Sequence, residues 1–153
     1  MEENSTEQRI AGFINAYSPE IAGQLIVARA RLHELFPTGY ELVYDNYNAL
    51  VFGFGPTVTS QDAILSLAGY PRWTTLFFLH GSSLEDPDSI LQGTGKHSRS
   101  IRLAGPEDLD RPEVLAMIDR ARQPVELMLA MAPELMTIIK SVSANQRPRR
   151  PKS

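Results

Sequence analysis

The sequence predicts an α+β fold: two N-terminal helices and C-terminal helices packed on an antiparallel meander sheet of about five strands. Three observations carry this expectation. Apolar residues recur with helical spacing at both ends of the chain. Between them lie short runs rich in β-branched and aromatic residues, separated by Gly, Pro, Asn and Asp clusters. No helical pattern interrupts those runs, which favours antiparallel neighbours over parallel crossovers.

The first helix is expected where Ile10, Phe13, Ile14 and Tyr17 share one face, with Ser5 or Thr6 as its cap in a Ser5-x-x-Gln8 box. Ser18-Pro19-Glu20 then restarts the chain: a hydroxyl cap, Pro in the first helical position and an acid in the first turn. Ile21, Leu25, Ala28, Leu32 and Leu35 form the stripe of the second helix, and Pro37-Thr38-Gly39 stops it. Strands are expected at 40–44, 50–54, 63–67, 75–79 and 99–103. Leu76-Phe77-Phe78-Leu79 reads as a central strand, and Trp73 as a packing residue at the sheet end. Residues 81–98 are loop-rich. Asp110-x-x-Glu113 with Pro112 opens a C-terminal helix with Val114, Leu115, Ile118 and Ala121 on its apolar face, ended or kinked by Pro124. The Met- and Leu-rich stretch that follows, with Pro133 in a first turn, is expected to be helical over 124–143. It either covers the sheet or forms a homo-oligomer or partner face through 125–139. The organisation expected is one domain over 1–146 followed by a disordered basic tail, 147–153.

Composition narrows the function. The chain has 153 residues, no cysteine and a net charge of −3. Disulfides, thiolate metal sites and cysteine nucleophiles are therefore excluded. No apolar run is long enough to span a bilayer, and the N-terminus is acidic and polar rather than a secretory or transit signal. A cytoplasmic protein without membrane contact is expected. Setting aside Arg147, Arg149, Arg150 and Lys152 leaves −7 on residues 1–146. An acidic body disfavours nonspecific nucleic-acid binding.

No catalytic constellation stands out, and no cofactor is expected. Gly93-Thr94-Gly95-Lys96 fails the phosphate-loop pattern, since Ile90 stands at the first Gly position and His97 follows the lysine. Its glycines can still turn N–H groups into a small anion nest, with Lys96 and Arg99 close by. Tyr44-Asp45-Asn46-Tyr47-Asn48 is the densest polar–aromatic cluster and reads as a hairpin end or a pocket rim. Tyr44, Asn46, Tyr47, Gly93, Gly95, Lys96 and Arg99 are thus the candidate ligand-binding residues, for a small anionic ligand. His33, His80 and His97 show no metal-ligand spacing. Glu85-Asp86-x-Asp88 lacks an EF-hand pattern, and Asp86-Pro87 reads as a turn.

Leu84-x-Asp86-Pro87-x-x-x-Leu91-x-Gly93-Thr94-Gly95-Lys96-x-x-Arg99-x-Ile101 resembles the signature of the bacterial YdhG-like family, also called domain of unknown function 1801. Tyr44–Leu50 and Tyr70-Pro71-Arg72-Trp73 are similar to one branch of it. The likeness covers about residues 18–122 and implies a small domain with helices on an antiparallel sheet. Some members are described as frataxin-like iron-binding proteins, which would use an acidic helical ridge. Glu2, Glu3 and Glu7, or Glu107, Asp108, Asp110 and Glu113, are the acidic groups such a role would draw on. Those acids equally suit helix N-termini electrostatically.

Overall fold

The computed structural model describes residues 2–152, with side chains from residue 5 onward. Four helices and six strands follow in order: α1 Glu2–Asn15, α2 Pro19–Leu35, β1 Tyr40–Asp45, β2 Leu50–Gly55, β3 Leu65–Gly69, β4 Thr74–Phe78, β5 Arg99–Leu103, α3 Pro112–Arg122, α4 Glu126–Met131 and β6 Met136–Val142. The class is α+β, as the sequence implies. The sheet order is β5-β4-β3-β2-β1-β6. The first five strands form the expected meander, each antiparallel to the next, and β6 adds to β1 in parallel.

The strand β6 corrects the helical expectation for 124–143. Thr137, Ile138, Ile139 and Val142 are β-branched and lose side-chain freedom in a helix. Pro133 and the extended Ala132 end α4 after six residues. The chain then docks on the α2–β1 turn, where Leu135 N–H donates to Pro37 O at 3.0 Å and Met136 N–H to Gly39 O at 3.1 Å. Gly39 has φ +105°, a conformation only glycine adopts readily, and its amide donates to Pro133 O. Helix α1 begins at Glu2, so Ser5 and Thr6 lie inside it and do not cap it. Ser18 caps α2 as expected, its hydroxyl accepting from Ile21 N–H at 3.3 Å.

One face of the sheet carries the core. Ile10, Ile14, Leu25, Leu32, Phe52, Leu67, Leu76, Ile101, Met117 and Ile118 all pack there. On the other face the 56–63 segment folds back over β2. Ala63 stands above Gly53, and a side chain at Gly55 would meet Asp62 O.

Two polar side chains in the helix-facing layer, Glu41 and Tyr17, tie several elements together. Glu41 is fully buried. Its carboxylate accepts from Arg29 Nε and Nη2 at 2.8 Å each, from Thr137 Oγ1 at 2.7 Å and lies 3.0 Å from His33 Nε2. Arg29 also reaches Glu7 at 3.0 Å. One cluster therefore ties α1, α2, β1 and β6. Burial alone would raise the Glu41 carboxyl, but the bonds and charges of Arg29 and His33 outweigh it and bring it down to about 2. Tyr17, between α1 and α2, is the second. Its hydroxyl donates to Gly69 O at 2.6 Å and accepts from Leu50 N–H at 3.0 Å, and burial pushes its phenol up.

Candidate functional site

The register separates the residues expected to form one site. Phe78 pairs with Arg99 on one side and Leu65 on the other, and Leu65 leads through Phe54 to Glu41. Arg99 thus lies at the end of the sheet where β1 begins. Asp45, Leu50, Gly69, Thr74 and Leu103 line up at the opposite end. The Tyr44–Asn48 turn and the Gly93–Arg99 loop occupy diagonally opposite corners, with β2, β3 and β4 between their strands. They do not come together.

Each group has its own local partners. Arg99 Nη1 donates to Gly95 O at 2.6 Å and Ser98 O at 2.7 Å, so this guanidinium closes its own loop. Gly93 supplies φ +122° there. The Lys96 carbonyl accepts from Ser82 Oγ at 2.7 Å, while its side chain is exposed. Tyr44 Oη lies 2.5 Å from Ser60 Oγ on the 56–63 segment. Asn46 N–H donates to Ala49 O at 3.0 Å, which makes the hairpin turn. Three of the four acids at 107–113 are also engaged: Asp108 accepts from Ala104 N–H, Asp110 pairs with Arg31 at 2.7 Å and Glu113 pairs with Arg111. The side chains of Glu2 and Glu3 lie outside the described residues. Among the described residues no three His, Asp or Glu converge as metal ligands. No described helix is long and apolar enough to cross a membrane.

The C-terminal segment changes the picture at the Asp45 end. The basic tail, expected to be disordered, packs against the β1–β2 turn. Ser143 N–H and Gln146 Nε2 donate to Asp45 O at 2.8 and 3.0 Å, and Arg147 N–H donates to Tyr47 O at 2.9 Å. Arg149 is 6% exposed. Its Nη2 pairs with the Asp45 carboxylate at 3.0 Å and donates to Asn46 O at 2.5 Å, and its Nη1 reaches Tyr47 O at 3.2 Å. The guanidinium also lies over the Tyr17 ring at 5.8 Å. Arg150 donates to Ala16 O and Asn15 O at 3.2 and 3.3 Å, at the C-terminal end of α1 where a cation complements the helix dipole.

Anchored this way, the tail forms one wall of a cleft of about 700 Å³. Asn48, Tyr70, Pro71, Arg72 and Trp73 form the other wall, and Arg147, Arg150 and Lys152 face them. Among the described residues four cations and no Asp or Glu line the cleft. Trp73 is held in place by its neighbours: the Arg102 guanidinium stacks 4.0 Å from its ring centre, and Tyr70 lies 5.8 Å away at a 34° tilt. Burial pushes the Tyr70 phenol up, so it stays a neutral donor.

Of the residues expected at a site, Asn46 and Tyr47 lie at the base of this assembly and hold the tail through their carbonyls. Tyr70, Arg72, Trp73 and the tail cations form the cleft itself. The signals for them were on the sequence, as Tyr-Pro-Arg-Trp in a turn and a Pro-Arg tail. Nothing in their spacing joins two segments some seventy-five residues apart. Comparison with protein-family models, curated proteins and solved structures finds no match for the chain.

Proposed function

We propose that this chain is a non-catalytic binding protein for a small anionic ligand, held in the cleft between the Tyr70–Trp73 turn and the C-terminal tail. The observation that carries this reading is a lining of four cations with no Asp or Glu among the described residues, on a body whose remaining charge is negative. An anion is repelled by most of the surface and attracted to this one place. Tyr70, Asn48 and the arginines add directional donors, and the indole of Trp73 gives a flat apolar wall.

Calorimetry and thermal shift with phosphate, pyrophosphate and nucleoside phosphates test the reading. Binding should weaken as salt rises. Arg72→Ala and Lys152→Ala should each lower affinity about tenfold, as expected for a lost charge-assisted hydrogen bond. Lys96→Ala and Arg99→Ala should leave it unchanged. Loss of binding in those two variants would return the site to the Gly93–Arg99 loop. Absence of stabilisation by every anion tried would reject the function.

A second reading rests on a different surface. Leu127, Met131 and Met136 are 76%, 80% and 49% exposed, and β6 has one strand neighbour only. Exposed apolar side chains beside an open strand edge favour pairing with another copy. Sedimentation at several concentrations should show self-association that Leu127→Glu with Met131→Glu abolishes, since both side chains are exposed, and a monomer throughout would reject it.

A further inference from the structure

A cavity of about 330 Å³ opens at the other end of the sheet, between the β2–β3 connection, the β4–β5 connection and the α3–α4 junction. Its chemistry is opposite to that of the basic cleft. Phe78, Ile64 and Ala63 are buried in its wall, and Pro56, Leu84, Ala121 and Val125 extend the apolar lining. The polar residues Gln61, Asp62, His80 and Ser83 are all exposed and stand around the opening. Among the described residues no Lys or Arg lines it, and Asp62 brings the only carboxylate. The volume lies at the small end of ligand pockets, roughly 300–1,000 Å³. Met128 at the lip is half-exposed and can adapt to what enters.

We propose that this cavity is a second binding site, for a small uncharged molecule with one apolar ring system or short chain and a hydrogen-bonding head group. The apolar part lies on Phe78 and Ile64, where burial of carbon surface drives binding. The head stays at the rim within reach of His80 and Gln61. An anionic head finds no counter-cation there and meets Asp62, so charge excludes the ligands that the basic cleft attracts. The site does not depend on the tail and stands whether or not the cleft binds anions.

The test uses indole and indole-3-carboxylate as a matched pair, on the full chain, with the contacts read residue by residue. Indole should bind and give nuclear Overhauser contacts to the methyl groups of Ile64, Ala121 and Val125. The carboxylate should give those contacts at least tenfold more weakly. Ala121→Phe, which fills the cavity from α3, should weaken indole at least tenfold and leave pyrophosphate binding as it was. Should that variant not fold, Met128→Trp closes the lip from an exposed position and is read the same way. Equal contacts from the carboxylate, contacts to other residues only, or no indole binding at millimolar concentration would overturn the assignment.

Discussion

Acid should dismantle the Glu41 cluster in a definite window. The Glu41 carboxyl ionises near 2 in the folded protein and near 4.5 when unperturbed. As pH falls, the unfolded chain takes up its proton first, so the unfolded state gains relative to the folded one. The stabilisation is complete above pH 4.5 and is lost progressively as pH approaches 2. Each pH unit in that window is worth about 1.4 kcal/mol, which makes the whole effect about 3 kcal/mol. The group is fully buried, so solvent does not screen this figure away. Urea unfolding followed by Trp73 fluorescence, repeated from neutral pH downward, measures it. Glu41→Gln is the reference that isolates the contribution of this one group. That variant should lose about 3–5 kcal/mol at pH 7, because it leaves the largely buried Arg29 with only the half-exposed Glu7. Its stability should also fall less steeply with acid than that of the parent. Parallel pH curves for parent and variant would refute the reasoning. Arg29→Met with Glu41→Leu removes both charges together and should recover much of the loss.

Tyr17→Phe leaves Leu50 N–H and Gly69 O without their buried partner and should cost about 1–3 kcal/mol in the same urea assay. Gly39→Ala places a Cβ against Gly55 O at a positive φ, where it should cost roughly 1–3 kcal/mol. Gly12→Ala, in open space on α1, should by contrast be neutral or stabilise by up to about 1 kcal/mol.

The helices α2 and α3 and the five meander strands were legible because each is written locally: a cap, a period and a turn. Thr75–Leu79 and Arg99–Leu103 fall within one residue of β4 and β5. The stretch 63–67 was placed two residues early, since Ala63 and Ile64 are as apolar as the strand itself but serve the segment folded over Gly53 and Gly55. The strand β6 is hidden in the sequence because its apolar content suits a helix as well as a strand, and because its partner β1 lies almost a hundred residues away. The candidate site was legible only in pieces. Polar turns and cations can be found by composition, but the corner of the sheet each one reaches follows from strand order. Local spacing alone does not fix that order when the last strand adds beside the first.

The tail shows how a long-range ion pair overrides composition. Charge, proline and the lack of an apolar anchor argue for disorder. Asp45 supplies an anchor of another kind: a carboxylate 5% exposed at the end of β1, which an arginine 104 positions later neutralises. The tail cations then divide their work. Arg149 holds the segment down, helped by the bonds of Arg150 to the end of α1, while Arg147 and Lys152, with Arg150 beside them, stand across from Arg72. Free in solution, those three charges would be dispersed; pinned, they act at one place. Anion affinity and fold stability are therefore coupled through Arg149 and uncoupled at Arg72. Arg149→Met strands Asp45 and should cost about 3 kcal/mol of stability while also weakening pyrophosphate binding. Arg72→Ala should weaken binding alone. A variant at Arg149 that loses stability but binds pyrophosphate as the parent does would show that the cleft does not need its pinned wall.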